Sequence, residues 1–367
     1  MNFVTACIDT KALVRNLRTI RARVPDSKLV AVVKANAYGH GLYPVAQALS
    51  QEADAFAVSR ISEALSLRNQ GIDKPIVLLE GFYNDEDVEI ISRLDFYTAV
   101  HSLFQVEAIE RHPGIKPLHC WVQADIGMHR LGAAQTGELR EIKTRLERLP
   151  QVYQPLGLIA HLSVADTPAE QGYHEEQVKR FWQIASELEF TGDLSLGNSA
   201  GILRWPDTHS PWVRPGIILY GISPFADQTG EELGLTPVMT LKSTLLTVHR
   251  LKKGAKVGYG AAFVAERDTV LGVVAVGYGD GYPRTAPNGT PVLVGGRLVP
   301  SAGHVCMDMM FVDLGPESRD RPGDEVILWG RGLPVEKIAA ACGTIPYELV
   351  CHIMPRVNVE FTAWGAG

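Results

Sequence analysis

The feature that most constrains the fold is an alternation, between Lys11 and about Tyr220, of short apolar runs and longer segments of helical periodicity. The apolar runs predict eight strands, at 29–34, 55–58, 76–79, 96–99, 118–123, 157–162, 194–197 and near 217–220. Helices are predicted between them, for example at 61–70, 85–92, 103–110, 137–149 and 170–189. This count is typical of a closed (β/α)8 barrel, a TIM-like α/β fold, and an open doubly wound sheet is the alternative.

The pattern changes after 224–235, a segment with Gly230 and several acidic residues that is predicted to be a linker. Beyond it, apolar runs at 240–250, 269–276 and 325–329 are separated by turns, which indicates a mostly-β domain with one helix, at 334–342. Gly295 and Gly296 separate two apolar runs and predict a hairpin, because both glycines can adopt positive φ. We therefore expect a barrel at 8–224 and a mostly-β domain at 235–367 that also includes residues 1–7.

Composition excludes several classes of function. The 367 residues carry a net charge of −6 without runs of like charge, which argues against a nucleic-acid-binding surface. No apolar run approaches the roughly 18 residues that span a bilayer, so no membrane partner is expected. The first nine residues do not resemble a secretory signal, and the five scattered cysteines fit reduced thiols better than disulfides or zinc ligands. A cytoplasmic location is expected.

Lys34 is the first candidate for chemistry, because it ends the first apolar run and a glycine-rich turn follows it. The carboxyl ends of strands are where α/β folds place reactive groups, and partial desolvation there lowers the pKa of an amine. Such an amine can form a Schiff base. The alternative is a solvated lysine in a strand-to-helix loop. Tyr38 and the glycines beside it add a phenol and free backbone N–H groups that suit a phosphate.

Other polar residues stand at or near the predicted strand ends. Gln123 and Asp125 close the fifth run, His161 closes the sixth, and Arg214 precedes the predicted eighth. Asn198 and Ser199 follow the seventh, where they could instead cap a helix, and His161 could be a buried structural histidine. The backbone N–H groups of Gly216 and Ile217, with the hydroxyls of Tyr38 and Ser199, would form a phosphate site without a lysine.

Three segments of the mostly-β half contain further notable residues. Tyr259 lies between Gly258 and Gly260, where nothing blocks approach to its phenol, although an ordinary Gly-Tyr-Gly turn is the alternative. The segment 277–282 looks like a nucleotide-binding loop, but it lacks the required spacing and the strand-then-helix context. The methionines of 305–310 are predicted to be core packing.

With these residues assembled, nearly the whole chain resembles the alanine racemase family, pyridoxal-phosphate enzymes of fold type III built from a (β/α)8 barrel and a β domain. The segment AVVKANAYGHG at 31–41 is similar to the family's cofactor-lysine signature. Four further blocks match in order and spacing: DIGMHRLG at 125–132, RPGIILYG at 214–221, GYG at 258–260 and VCMD at 305–308.

The resemblance implies roles for individual residues. Lys34 would bind pyridoxal 5'-phosphate covalently, and Arg214 would face its pyridine nitrogen. Its phosphate would be held by a set of hydroxyl and backbone groups: Tyr38, Ser199, Gly216, Ile217 and Tyr347. Arg130 and Met307 would contact the substrate, His161 would belong to the cofactor site, and Gln123 and Asp308 would support the site, with no metal.

The family pattern also implies a two-base racemisation of alanine that supplies D-alanine for peptidoglycan. Lys34 would act on the D-isomer and Tyr259, supplied by the second subunit of a homodimer, on the L-isomer. A phenol has a reference pKa near 10, so its proton transfer needs support, for which His161 and Arg130 are candidates. Since Arg214 only donates hydrogen bonds, the pyridine nitrogen would stay unprotonated, which should suppress transamination.

Two positions depart from the family pattern. Gln123 stands where many members carry a lysine that becomes carbamylated. We expect it to accept a hydrogen bond from Arg130, helped by a bound anion such as chloride. His304 stands where many members have an arginine, which puts the usual charge at the substrate entrance in doubt and could add a pH dependence.

Two other functions are alternatives. An amino-acid decarboxylase or aldolase could use the same architecture, but Arg214 argues against it, since decarboxylation gains from a protonated pyridine. A catalytically silent cofactor-binding protein would have no use for the phenol of Tyr259. Visible cofactor absorbance would distinguish a cofactor enzyme from a plain binding protein, and chiral analysis of the product would distinguish a racemase from a decarboxylase.

Overall fold

The computed structural model describes residues 3–362. The chain divides into two compact units. We call residues 16–37 and 41–219 the barrel unit, and the described residues 3–15, 38–40 and 220–362 the β unit. Residues 1, 2 and 363–367, which the sequence assigns to the second domain, lie outside the described part of the chain.

Strands and helices alternate through the first part of residues 3–362, and strands dominate the second. The strands are β1 (Thr5–Asp9), β2 (Lys28–Val32), β3 (Ala55–Val58), β4 (Ile76–Leu78), β5 (Tyr97–Val100), β6 (His119–Gln123), β7 (Gly157–Ile159), β8 (Leu194–Ser195), β9 (Trp212–Val213), β10 (Met239–Leu251), β11 (Lys256–Val257), β12 (Phe263–Val264), β13 (Thr269–Val274), β14 (Pro291–Val294), β15 (Arg297–Pro300), β16 (Met310–Gly315), β17 (Glu325–Trp329) and β18 (Asn358–Thr362). The helices are α1 (Thr10–Arg23), α2 (Lys34–Tyr38), α3 (Leu42–Leu49), α4 (Ile61–Asn69), α5 (Asp85–Leu94), α6 (Leu103–Glu110), α7 (Thr136–Glu147), α8 (Gln171–Glu187), α9 (Ser199–Arg204), α10 (Val335–Cys342) and α11 (Pro346–Cys351).

Strands β2 to β9 form a closed parallel barrel, which confirms the fold predicted from the sequence. The barrel closes where β2 pairs with β9, with Leu29 opposite Val213. Residues such as Val30 and Ala57 are fully buried, because strands of a parallel barrel are covered on both faces. Most of these short runs are therefore apolar at successive positions instead of alternating.

The eighth barrel strand corrects one prediction. It is the two-residue β9, whereas Ile217–Tyr220, where the sequence predicted a strand, forms a 3-10 turn. Arg214 consequently follows the last strand and does not precede it. The carboxyl-terminal ends of all eight strands lie at one rim of a parallel barrel. Because Arg214 follows β9, it lies at this rim.

The β unit is built around an eight-stranded sheet. One path runs in the order β15-β14-β17-β10-β1-β18, and β13 pairs with both β10 and β16. The first strand of the chain pairs antiparallel with β10 and parallel with β18. The predicted hairpin is present as β14 and β15, joined by Gly295 and Gly296 at φ of 55° and 81°. Beside α10 lies a second helix, α11, that the sequence analysis missed.

Candidate active site

The carboxyl-terminal rim of the barrel brings together most of the candidate residues of the barrel unit. Lys34 lies two residues after β2, Gln123 ends β6, His161 lies two residues after β7, and Arg214 directly follows β9. In TIM barrels this rim is built from the loops that carry catalysis. The structure therefore assembles side chains that are up to 180 residues apart in the sequence, as the predicted order of strands required.

The segment labelled α2 is a left-handed turn after Lys34 and not a right-handed helix. Ala35, Asn36 and Ala37 have φ of 52°, 54° and 54°, a conformation that L-residues seldom adopt consecutively. Two side chains stabilise it: Glu63 accepts a hydrogen bond from the Ala35 N–H at 2.7 Å, and the Asn36 side-chain oxygen accepts from the N–H of Leu42 at 2.8 Å. The turn fixes the direction in which the chain leaves the lysine.

Glu63 is a residue that the sequence analysis did not single out. It lies in the first turn of α4, and its second carboxylate oxygen accepts the N–H groups of Ser59 and Arg60, each at 3.1 Å. An acidic residue three positions into a helix is a common sign of N-terminal capping. That sign could have revealed the cap, but not the bond to Ala35, which joins positions 28 residues apart.

Arg214 is buried, with 4% of its surface exposed. One terminal nitrogen donates to the Ser195 hydroxyl at 2.5 Å, and the other to the carbonyl oxygens of Ala160 and Leu196 at 2.5 and 3.3 Å. Burial lowers the pKa of the guanidinium to about 10, so it stays charged at neutral pH. Its Nε–H has no hydrogen-bond partner within residues 3–362, which leaves a fixed donor for a ligand acceptor.

Ser199 and Gly216 form the core of the predicted phosphate site. The N–H of Gly216 donates to the Ser199 hydroxyl oxygen at 2.9 Å, so the hydroxyl's own proton is available to an acceptor. Ser199 begins α9, and the side chain of Asn198 caps that helix by accepting the Gly201 N–H at 3.0 Å. For Asn198 the capping interpretation is therefore correct.

His161 is neutral at physiological pH. Burial, followed by the positive charges of Arg214, Arg130 and Lys34, lowers its pKa to about 3. A neutral imidazole can donate from one ring nitrogen and accept at the other. The same three charges make this part of the rim electropositive, which suits an anionic ligand.

Gln123 and Arg130 line one small cavity together with Asp125 and His161. The Gln123 side-chain oxygen is buried and accepts no hydrogen bond from any of residues 3–362, so the expected direct bond to Arg130 is wrong. Asp125 organises the loop that carries Arg130 by accepting the N–H groups of Gly127 and His129 at 2.9 and 3.0 Å. Burial would raise the pKa of Asp125, but these hydrogen bonds outweigh it and leave the pKa below its usual value.

In the β unit, the structure leaves Tyr259 uncovered, with 72% of its surface exposed. It lies in a 3-10 turn between Gly258 and Gly260, both at φ of 68°. Met307 is also exposed, at 54%, and Met309 at 42%, so the core-packing prediction for 305–310 holds for Met310 but is wrong for these two.

Tyr38 and Tyr347 lie together in the β unit, their ring centroids 6.1 Å apart, and Tyr38 packs against Tyr220 at 4.9 Å. Burial raises the pKa of Tyr38, so its hydroxyl keeps its proton and remains a donor. Tyr347 is on α11, the helix that the sequence analysis missed. His304 is exposed, and Asp308 binds Arg356, as described below.

A closed parallel barrel with a lysine, a neutral histidine and a buried arginine at its carboxyl-terminal rim, in one chain with a β unit, defines an enzyme of the barrel-plus-β-domain class. Comparison with known proteins narrows the class. Residues 8–224 match the family model "Alanine racemase, N-terminal domain" and residues 238–361 match "Alanine racemase, C-terminal domain". The chain belongs to the alanine racemase family.

Individual relatives agree over the full length. The chain is 50% identical to an alanine racemase of Aeromonas hydrophila, over 98% of this chain and 100% of that protein. It is also 50% identical to an alanine racemase of Vibrio parahaemolyticus, over 99% of this chain and 100% of that protein. The crystal structure of the biosynthetic alanine racemase of Pseudomonas aeruginosa has a TM-score of 0.93 at 42% identity, covering 99% of this chain and 100% of that chain. None of the helices in residues 3–362 combines the length and apolar character needed to cross a membrane.

Proposed function

We propose that this chain interconverts L-alanine and D-alanine, with pyridoxal 5'-phosphate as cofactor and two bases on opposite faces of the substrate's Cα. The observation that most supports a second base is the exposure of Tyr259, a phenol that its own subunit leaves uncovered between two glycines. Membership of the alanine racemase family supports the choice of substrate.

The groups at the barrel rim fit this cofactor. The amine of Lys34 would hold it covalently, and the free Nε–H of Arg214 suits an unprotonated pyridine nitrogen. The Ser199 hydroxyl and the backbone of Gly216 and Ile217 would hold its phosphate, and Tyr38 and Tyr347 are proposed as further phosphate partners. Bound pyridoxal phosphate would supply an electron-withdrawing ring that stabilises negative charge at Cα. Because Arg214 cannot give up a proton, that withdrawal stays limited, which should suppress transamination.

The proton transfers are assigned to two side chains. Lys34 would remove the Cα proton of D-alanine, and Tyr259 of the partner subunit would deliver one to the opposite face, with the roles reversed for L-alanine. Arg130 and Met307 would contact the substrate, and Asp308 would support this site. His161, being neutral, can share a hydrogen bond without adding charge. We propose that the buried oxygen of Gln123 accepts a hydrogen bond from a donor that enters this cavity, together with a bound anion.

A homodimer follows from this assignment, since a protomer alone would lack the second base. We further propose a cytoplasmic enzyme that supplies D-alanine for peptidoglycan, consistent with the biosynthetic racemase of Pseudomonas aeruginosa to which it is similar.

Isotope exchange tests the two-base assignment. The purified enzyme should racemise both isomers, measured by chiral chromatography. In deuterated water, Tyr259→Phe should still exchange the Cα hydrogen of D-alanine through Lys34 but lose exchange on L-alanine, with racemisation about 10² to 10⁴ times slower. Tyr153→Phe, which removes another exposed phenol, is the control. Retention of L-alanine exchange by Tyr259→Phe would contradict the assignment.

Peptide mapping tests the cofactor. After borohydride reduction, the pyridoxyl group should be on Lys34 and on no other residue. Release of carbon dioxide in place of chiral inversion would indicate a decarboxylase, and the lack of any visible absorbance would indicate a protein without this cofactor.

A further inference from the structure

The segment 277–282, excluded above as a nucleotide-binding loop, has a different place in the β unit. Its backbone lies directly against the segment that carries Met307. The N–H of Tyr278 donates to the carbonyl oxygen of Cys306 at 3.1 Å, and the N–H of Gly279 donates to that of Met307 at 2.8 Å. A Cβ added to Gly277 would fall 2.2 Å from the Met307 carbonyl oxygen, so this close approach requires glycine.

Asp280 holds this loop in place. Its carboxylate is buried, at 6% exposure for the residue, and accepts the N–H of Gly277 at 2.9 Å. The second carboxylate oxygen accepts from Nε of Arg356 at 2.7 Å. A buried carboxylate with both oxygens bound in this way is fixed in one orientation, and so is the guanidinium that it receives.

Arg356 extends the network to the Met307 segment itself. Nη1 donates to the carboxylate of Asp308 at 2.7 Å, and Nη2 to the carbonyl oxygen of Met307 at 3.3 Å. One planar guanidinium thus joins Asp280, Asp308 and the Met307 backbone, a geometry that a lysine ammonium cannot reproduce with a single nitrogen. The hydrogen bonds that Arg356 donates to both carboxylates raise its pKa, so the bridge stays charged.

We propose that Arg356 and Asp280 are positioning residues for the racemisation, and that they hold the Met307 and Asp308 segment in the conformation that the substrate contacts. This inference rests on the proposed function, specifically on the substrate contact assigned to Met307. The segment needs such support because Met307 and the Asp308 side chain are both more than half exposed, at 54% and 57%.

Steady-state kinetics of Arg356→Met in the full-length holoenzyme tests the proposal. We expect kcat/KM to fall about tenfold or more for both L-alanine and D-alanine, mainly through a higher KM, because the substrate-contacting segment is displaced. Cofactor absorbance and its fixation to Lys34 should be unchanged. Arg356→Lys keeps the positive charge but loses the planar set of N–H donors of the guanidinium. Its kcat/KM should therefore fall at least threefold, while the variant unfolds at the wild-type temperature.

The matched control is Arg267→Met. Arg267 binds Asp313 at 3.3 Å, with side-chain exposures of 58% and 10%, against 46% and 8% for Arg356 and Asp280, and neither residue is hydrogen-bonded to the 305–309 segment. The control should stay within about twofold of wild type. Wild-type kinetics in Arg356→Lys, or an equal loss in Arg267→Met, would overturn the proposal. A wild-type enzyme without racemase activity would instead refute the proposed function.

Discussion

At the scale of single residues, His161 has a pKa that is strongly lowered by its surroundings. Three cationic side chains act on it at the barrel rim, where burial already disfavours its charged form. Its pKa of about 3 means that it does not titrate in the range where the enzyme works. A pH dependence of activity near neutrality would therefore have to come from other groups.

The same shift predicts how stability responds to acid. In the unfolded chain His161 binds a proton below about 6.5, but in the folded chain only below about 3. Between these values the unfolded state binds more protons. The free energy of unfolding should therefore decrease by about 1.4 kcal/mol for each unit by which the pH is lowered. Urea unfolding of His161→Asn between about pH 4 and 6 should show a correspondingly weaker pH dependence.

Removing an exposed histidine, as in His249→Asn, serves as the control. If His161→Asn and the wild type lost stability with the same slope, His161 would not be held neutral by its surroundings. Because the variants share the carboxylates that titrate in the same range, the contribution of these carboxylates to the pH dependence of stability cancels in the comparison.

Residue-level prediction from sequence succeeded where position along a strand defined the surroundings, as for Lys34 and His161 at the rim. It failed where a partner lies far along the chain. Neither the bond between Glu63 and Ala35 nor the pair of Asp280 and Arg356, 76 residues apart, leaves a local pattern. The core-packing prediction failed for Met307 because hydropathy alone does not distinguish a buried methionine from an exposed one.

At the scale of elements, the turn after Lys34 has several consecutive residues with positive φ. Asn36 is suited to it, because asparagine tolerates positive φ better than alanine and its side chain binds the N–H of Leu42 at the start of α3. Asn36→Ala should therefore lower the free energy of unfolding by about 1–2 kcal/mol, measured by urea titration.

Asn69→Ala is the matched control, since Asn69 is exposed at the end of α4. It should change stability by less than about 0.5 kcal/mol. Equal effects of the two substitutions would show that the turn does not depend on the Asn36 side chain.

The hairpin of β14 and β15 allows a second test at this scale. Gly296 has φ of 81° and open space around its Cα, so Gly296→Val should be destabilising through the backbone alone, by about 1–3 kcal/mol. Gly295 has φ of 55°, which asparagine adopts in hairpin turns, so Gly295→Asn should be neutral within about 0.5 kcal/mol. Thermal unfolding measures both, and a loss in Gly295→Asn as large as in Gly296→Val would contradict this account.

Most of the barrel strands were predicted from the sequence, but β9 and α11 were not. Seven of the eight barrel strands were placed to within a few residues, because most of them lie in apolar runs of the sequence. The two-residue β9 has no period, so the more apolar 217–220 was chosen instead. The six-residue α11 begins at a proline and spans less than two turns, which is too short for an amphipathic pattern.

At the scale of the whole molecule, the residues assigned to the reaction are divided between the two units. Lys34, His161 and Arg214 belong to the barrel unit, and Tyr259 and Met307 to the β unit. A site shared between subunits would explain why Tyr259 remains exposed in its own chain. Sequence patterns describe one chain, so the partner's contribution could be inferred from the family resemblance but not from periodicity.

Mixing two inactive variants tests this sharing directly. Lys34→Ala and Tyr259→Phe should each be nearly inactive alone. When the two are unfolded together and refolded, half of the dimers should be hybrids, and one of the two sites in each hybrid should contain both native residues. About a quarter of wild-type activity should therefore return. If both bases came from the same chain, every hybrid site would lack one of them and no activity would return. Refolding each variant alone is the control, and the recovered activity should depend on the mixing ratio with a maximum at equal amounts, because random pairing then gives the most hybrids.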